Sequence, residues 1–119
     1  MTLEQYRTIN PAVIIELIGD DPKEIKEFQL NFLYQAKGCI QKMIQYYKTQ
    51  DFAQLKGEAH YLKTSAKAIG AELCGHYLQQ LEVLAAKEDL EQCKLQLARI
   101  AKELEAVKQG IVHDIKARS

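Results

Sequence analysis

The chain has 119 residues, enough for one hydrophobic core and too few for two. Apolar residues make up 47% and charged residues 27%, a globular composition that excludes a disordered or membrane-embedded chain. Sixteen basic and sixteen acidic residues cancel, which argues against a nucleic-acid binder working by bulk electrostatics.

Asn10-Pro11 pairs an N-cap residue with a proline at the first helical position, so a short helix is expected over about 10–18, stopped by Gly19. Asp21-Pro22 repeats the signal and opens a long helix over about 22–48, with Ile25, Phe28, Phe32, Cys39, Met43 and Tyr46 on one face. Asp51 caps a third helix over about 52–69, whose seam runs Phe52, Leu55, Ala59, Leu62, Ala66, Ile69. That alternation of three and four is helical and cannot be a strand. After Gly70 the pattern resumes over about 71–87 as Cys74, Tyr77, Leu81 and Leu84. Asp89 can cap a last helix over about 90–112, with Leu90, Cys93, Leu97, Ile100, Leu104, Val107 and Ile111 in step, and the tail from His113 to Ser119 is expected to fray.

No strand signal, linker or repeat interrupts this series. The expected fold is all-α: a single domain over 1–119, built as an antiparallel up-down four-helix bundle with the short N-terminal helix covering one end. No apolar run approaches the ~20 residues needed to cross a bilayer, and Met1-Thr2-Leu3-Glu4 lacks the blocks of a signal peptide. A cytoplasmic location follows as the expectation. Met1 and the caps near both ends favour a free-standing domain, and no feature demands more than a monomer. Cys39, Cys74 and Cys93 all fall on apolar helical positions at wide spacing, as buried reduced thiols do.

His60 is the chief candidate for chemistry. Lys56, His60, Lys63 and Lys67 each follow a seam residue by one position, which sets them in a stripe at the edge of the core. Lys63, one turn beyond His60, can neutralise a phosphoryl group on the imidazole or simply solvate the helix. Glu82 lies as far beyond Gly70-Ala71 as His60 lies before it. A chain folded back there brings carboxylate and imidazole to one level, each roughly 15 Å from the turn. Glu82 would then accept from Nδ1–H and leave the Nε2 lone pair outward, the form a nucleophilic histidine needs; the bland reading pairs it with a lysine. Gly57 costs helix stability, so it either admits a partner's backbone or is an incidental surface glycine. His76, two residues from Cys74, makes no chelate, and His113 belongs to the tail.

The order His60-x-Leu62-Lys63-x-Ser65-Ala66-x-x-x-Gly70-Ala71, followed by Leu81-Glu82, resembles the histidine-containing phosphotransfer (HPt) domains of two-component phosphorelays. The Asp-Pro opening, the acidic cap before the histidine helix and the long last helix extend the resemblance over nearly the whole chain. It implies that His60 is a phospho-acceptor, that Lys63 supports the phosphoryl group, and that Gly70 gives the turn between the central helices. It also implies that Glu82 stands within reach of the imidazole. The family usually has glycine directly after the lysine, where a receiver docks closely; Thr64 stands here, either narrowing partner choice or bonding harmlessly to the carbonyl of His60.

The chain lacks a glycine-rich nucleotide loop, a Gly-Lys-Ser/Thr sequence and an acidic cluster for magnesium. The implied role is therefore a carrier without an ATP site or bound cofactor of its own. It would take a phosphoryl group from a receiver-domain phospho-aspartate, within a hybrid sensor kinase, and pass it to a response-regulator receiver that supplies Mg²⁺. Lys56, Gly57, Thr64 and Lys67 would meet that partner. A competing reading is a bundle whose His60 is never phosphorylated and which only sequesters a receiver. A core metal site would need inward Glu-x-x-His pairs, and there are none.

Overall fold

The structure, a computed structural model, describes residues 5–118; the expectation made for Met1–Glu4, and Ser119, lie outside the described residues. Among these residues there are five α-helices and no strand: α1 Pro11–Ile18, α2 Pro22–Lys48, α3 Phe52–Ala68, α4 Glu72–Ala86 and α5 Leu90–Arg118. Their starts follow the local chemistry. Side chains of Asn10, Asp21, Asp51 and Asp89 each accept from a backbone N–H of the following turn, at 3.0–3.2 Å. Prolines 11 and 22 occupy the first helical positions, where a missing N–H costs nothing.

Helix α2 packs against α3 and α5, and α4 packs against the same two, while α1 rests on α2 and α3. The core between them holds Ile25, Phe32 and Met43 of α2, Leu55, Leu62 and Ile69 of α3, Leu78 and Leu81 of α4, and Ile100, Val107 and Ile111 of α5. The expected seams need small rotations. Phe28, Tyr46, Phe52, Tyr77, Leu84 and Leu104 are only partly buried, and Leu90 is exposed. On α4 Cys74 and Leu81 are buried as expected, but Leu78 and Ala85 turn fully inward in place of their neighbours Tyr77 and Leu84, which widens the buried face to one side.

Two segments depart from expectation. The tail does not fray after residue 112: α5 continues to Arg118. Asp114 is the reason, since its Oδ2 accepts from Gln29 Nε2 at 3.0 Å and from Arg118 Nε at 2.8 Å. Ile115 packs on the core beside it, and the basic Lys116 and Arg118 suit the negative end of the helix dipole. The second segment precedes α1. Helix α4 has no side-chain cap at Ala71, and residues 7–10 stand in for one. The carbonyl of Arg7 accepts from Leu73 N–H, while Glu72 accepts from Arg7 N–H and Asn10 Nδ2.

Gly70 joins α3 to α4 at φ +81°, and Asn10 N–H donates to its carbonyl at 2.8 Å. A Cβ there would run into the carbonyl oxygen of Asn10. Backbone conformation and close approach thus both require glycine at the turn that sets the register of α3 on α4.

Candidate functional site

The α3–α4 pair is the most intimately packed in the molecule. Small residues are prominent among those the two helices bury: Ala59 and Ala66 of α3 and Cys74, Gly75 and Ala85 of α4, beside Leu55, Leu62, Leu78 and Leu81. The small ones leave little bulk between the axes, so polar residues one step off the seam can reach across.

His60 and Glu82 do so. His60 Nδ1 lies 2.9 Å from Glu82 Oε1, and Lys63 Nζ lies 2.6 Å from Glu82 Oε2. The His60 side chain is 65% exposed, whereas Glu82 and Lys63 retain only 13% and 16%. An open imidazole therefore stands on a nearly closed ion pair. Burial alone would push the Glu82 carboxyl up, but hydrogen bonds and charge from Lys63 and His60 outweigh it and hold the group below its ordinary 4.5. An ionised carboxylate can only accept, so Nδ1 carries a proton toward Glu82, and in the neutral ring the lone pair is then left on Nε2.

The remaining expected residues divide. Lys63 is near the imidazole but engaged: its ammonium closes the Glu82 carboxylate. Lys56 lines a recess of about 410 Å³ beside the ion pair, bounded by Lys63 and, across the seam, by Gln79, Val83 and Lys87. Gly57 is exposed, and a Cβ there would meet nothing within 4 Å beyond its own neighbours and the backbone of its own helix. Thr64 is exposed and its hydroxyl donates to the His60 carbonyl at 3.4 Å, a long bond that leaves the ring untouched. Lys67 does not join the others. Its stem lies along Gly75, where a Cβ would meet its Cγ at 3.3 Å, and it borders a second recess with Tyr6, His76 and Gln79.

The α4 wall, Gln79, Val83 and Lys87, was not among the expected residues. A signal for it exists: the mirror register through Gly70-Ala71 that pairs His60 with Glu82 also pairs Lys63 with Gln79 and Lys56 with Ala86. Val83 is 50% exposed and supplies the one large apolar surface on that wall.

The other histidines and the thiols lie apart. His76 stacks on Tyr6 with ring centroids 4.4 Å apart, and His113 is exposed on α5. Cys39, Cys74 and Cys93 are buried and unbridged. Burial, reinforced by Glu58, pushes the Cys39 thiol up to about 12, and burial with Glu103 does the same to Cys74. Thiols so disposed are poor nucleophiles. Among the described residues no three His, Cys, Asp or Glu side chains converge as a metal site would need, and no helix is long and apolar enough to cross a membrane.

The family model described as "Hpt domain" matches residues 27–110, a span that includes His60, Glu82 and the Gly70 turn. No curated protein and no solved structure matches the chain.

Proposed function

The chain belongs to the Hpt domain family, whose members carry phosphoryl groups on histidine in phosphorelays, and on that premise we propose that His60 is its phospho-acceptor. The observation that supports this is an imidazole pinned at Nδ1 by a largely covered, ionised carboxylate while the rest of the ring stays open. In the forward step the Nε2 lone pair attacks the phosphorus of a receiver's phospho-aspartate. The N–P bond forms, the P–O bond to the aspartyl group breaks, and the carboxylate leaves. The ring, still protonated at Nδ1, gains positive charge as it is phosphorylated, and Glu82 lies where it offsets that charge. Transfer to the next receiver reverses each step.

Lys63 has a second task in this reading. Its flexible stem lets the ammonium move from Glu82 Oε2 to the phosphoryl oxygens once they arrive. The chain supplies a nucleophile and its position, and it acts as a carrier without an ATP site. Mg²⁺ belongs to the receiver domain and not to this chain. The partners proposed are receiver domains of a hybrid sensor kinase and of response regulators, meeting Lys56, Gly57, Thr64, Lys67 and the α4 wall. We read the helices as a single-domain, antiparallel up-down four-helix bundle working in the cytoplasm. Each copy holds a complete site.

The test is incubation with a phosphorylated receiver. An acid-labile, base-stable label should appear on this chain and be absent from His60→Gln. Label retained by His60→Gln, or none on the native chain across a broad set of receivers, overturns the proposal; in the latter case retained receiver binding would leave the sequestering role.

A further inference from the structure

A receiver that brings phosphorus to bonding distance of His60 Nε2 covers far more of this chain than one ring. A standard interface of ~800 Å² per partner is a disc of about 16 Å radius. Close to the centre of that disc stands a side chain with no part in the Glu82 network. Ala59 is buried in the α3/α4 seam, His60 follows about 100° round the helix, and Tyr61 lies about 100° further, on the flank away from α4. Tyr61 is 58% exposed and is the one large hydrophobic side chain that α3 exposes. Among the described residues its ring has no stacking partner and its hydroxyl no hydrogen bond.

Gly57 completes the arrangement. It lies one turn before both rings, at i−3 from His60 and i−4 from Tyr61, the positions over which helical side chains lean. Open space stands where its side chain would be, so the imidazole and the phenol ring border an unfilled notch. The exposed Val83 of the α4 wall flanks His60 on the other side.

We infer that Tyr61, beside the notch at Gly57, is the anchor that sets how tightly a receiver docks. An apolar side chain next to the receiver's phospho-aspartate packs on the Tyr61 ring, and the receiver's backbone passes over Gly57. The inference rests on His60 being the phospho-acceptor, and covalent reach then selects the occupant: the residue next to the nucleophile cannot stay uncovered while the N–P bond forms. Tyrosine suits the task, since it offers a large contact with few rotors to freeze and is enriched among the residues that dominate interface energies. The notch also accounts for a glycine that otherwise only weakens α3. Because Tyr61 touches neither Glu82 nor Lys63, it acts on docking and leaves the orientation of the imidazole alone.

Transfer kinetics test this, with the concentration of a phosphorylated receiver that labels the native chain as the variable. Tyr61→Ala should raise KM about tenfold or more. It should leave kcat within about twofold, the mark of binding lost equally from ground and transition states. Tyr61→Phe keeps the ring and should stay within about threefold of the native KM. Gly57→Gln fills the notch and should also raise KM about tenfold, while moving the denaturant midpoint upward because glutamine is the better helix former. Those opposite signs separate docking from folding, and unchanged helical circular dichroism does so for Tyr61→Ala. A native KM in Tyr61→Ala or Gly57→Gln overturns the inference and leaves His60 as the acceptor. So does a fall in kcat alone, or a loss that Tyr61→Phe shares in full. No label on the native chain from any receiver overturns both.

Discussion

The two opposite seams of this molecule use the same kind of helix to different ends. Along α3/α4 the buried residues include alanine, cysteine and glycine among the leucines, the helices pack closely, and a carboxylate one step off the seam is nearly closed over. Of the helices that meet at α2/α5, α2 buries the bulkier Phe32 and Met43 and α5 buries Ile100 and Val107, and a groove of about 500 Å³ lined by Leu33, Ile40, Ala101 and Leu104 opens there. Close approach buys a rigid charge network, whereas the wider seam leaves apolar surface exposed. Chemistry that depends on tenths of an ångström belongs on the first.

The α3/α4 seam owes its register to one turn, and the largest effect should come from breaking it there. Gly70→Ala places a Cβ against the Asn10 carbonyl and forces an L side chain to φ +81°. The left-handed conformation alone costs about 1–2 kcal/mol, and with the backbone collision the loss of stability should reach about 2–4 kcal/mol. A denaturant midpoint that does not move would show that the N-terminal segment yields freely. In that case the register would be set by packing farther along the helices.

Next in size is the loss of Glu82. Glu82→Ala removes the acceptor from His60 Nδ1 and the partner of Lys63 together, and transfer should slow about 10–100-fold, as when a ligand-orienting carboxylate is lost. Glu82→Gln keeps an acceptor for Nδ1–H but gives up the ion pair, so its rate should fall between those of the native chain and Glu82→Ala. Equal rates for all three would sink the orienting role. Stability supplies a second reading. The folded carboxyl titrates below its ordinary 4.5, so its contribution is fully present above that value and is lost as pH falls through the lowered one. The native chain should therefore exceed Glu82→Gln by about 1 kcal/mol at neutral pH, with the gap closing under acid.

What was legible in the sequence was chiefly what local chemistry decides. Asn10-Pro11, Asp21-Pro22, Asp51 and Asp89 mark helix starts because the capping bond spans only two or three residues. Glu82 was legible because a single glycine turn makes the register of a hairpin countable. Less legible were contacts between residues remote in the chain. The cap on α4 comes from Arg7 and Asn10, more than sixty residues away from Glu72. The order of the tail comes from Gln29 reaching Asp114, which no local pattern announces. Lys67 falls in the same stripe as Lys63, yet its stem follows the shallow surface at Gly75. A helical stripe fixes where a side chain starts, and the neighbouring helix decides where it goes.

Thr64 should give the smallest effect, and it tests whether the open side of the α3/α4 seam is as tolerant as the closed side is strict. Its hydroxyl reaches the His60 carbonyl at 3.4 Å and takes no part in the Glu82 network. Thr64→Gly should cost about 0.3–0.5 kcal/mol through helix propensity. Thr64→Ala removes the hydroxyl while restoring a good helix former and should be neutral or slightly stabilising. If the side chain is a bystander, both variants should transfer with kcat and KM within about twofold of native, under 0.5 kcal/mol. A KM that falls in both while kcat holds would show the threonine standing in the path of an approaching partner. The residue would then set which receiver docks without touching the chemistry that Glu82 and Lys63 arrange beneath it.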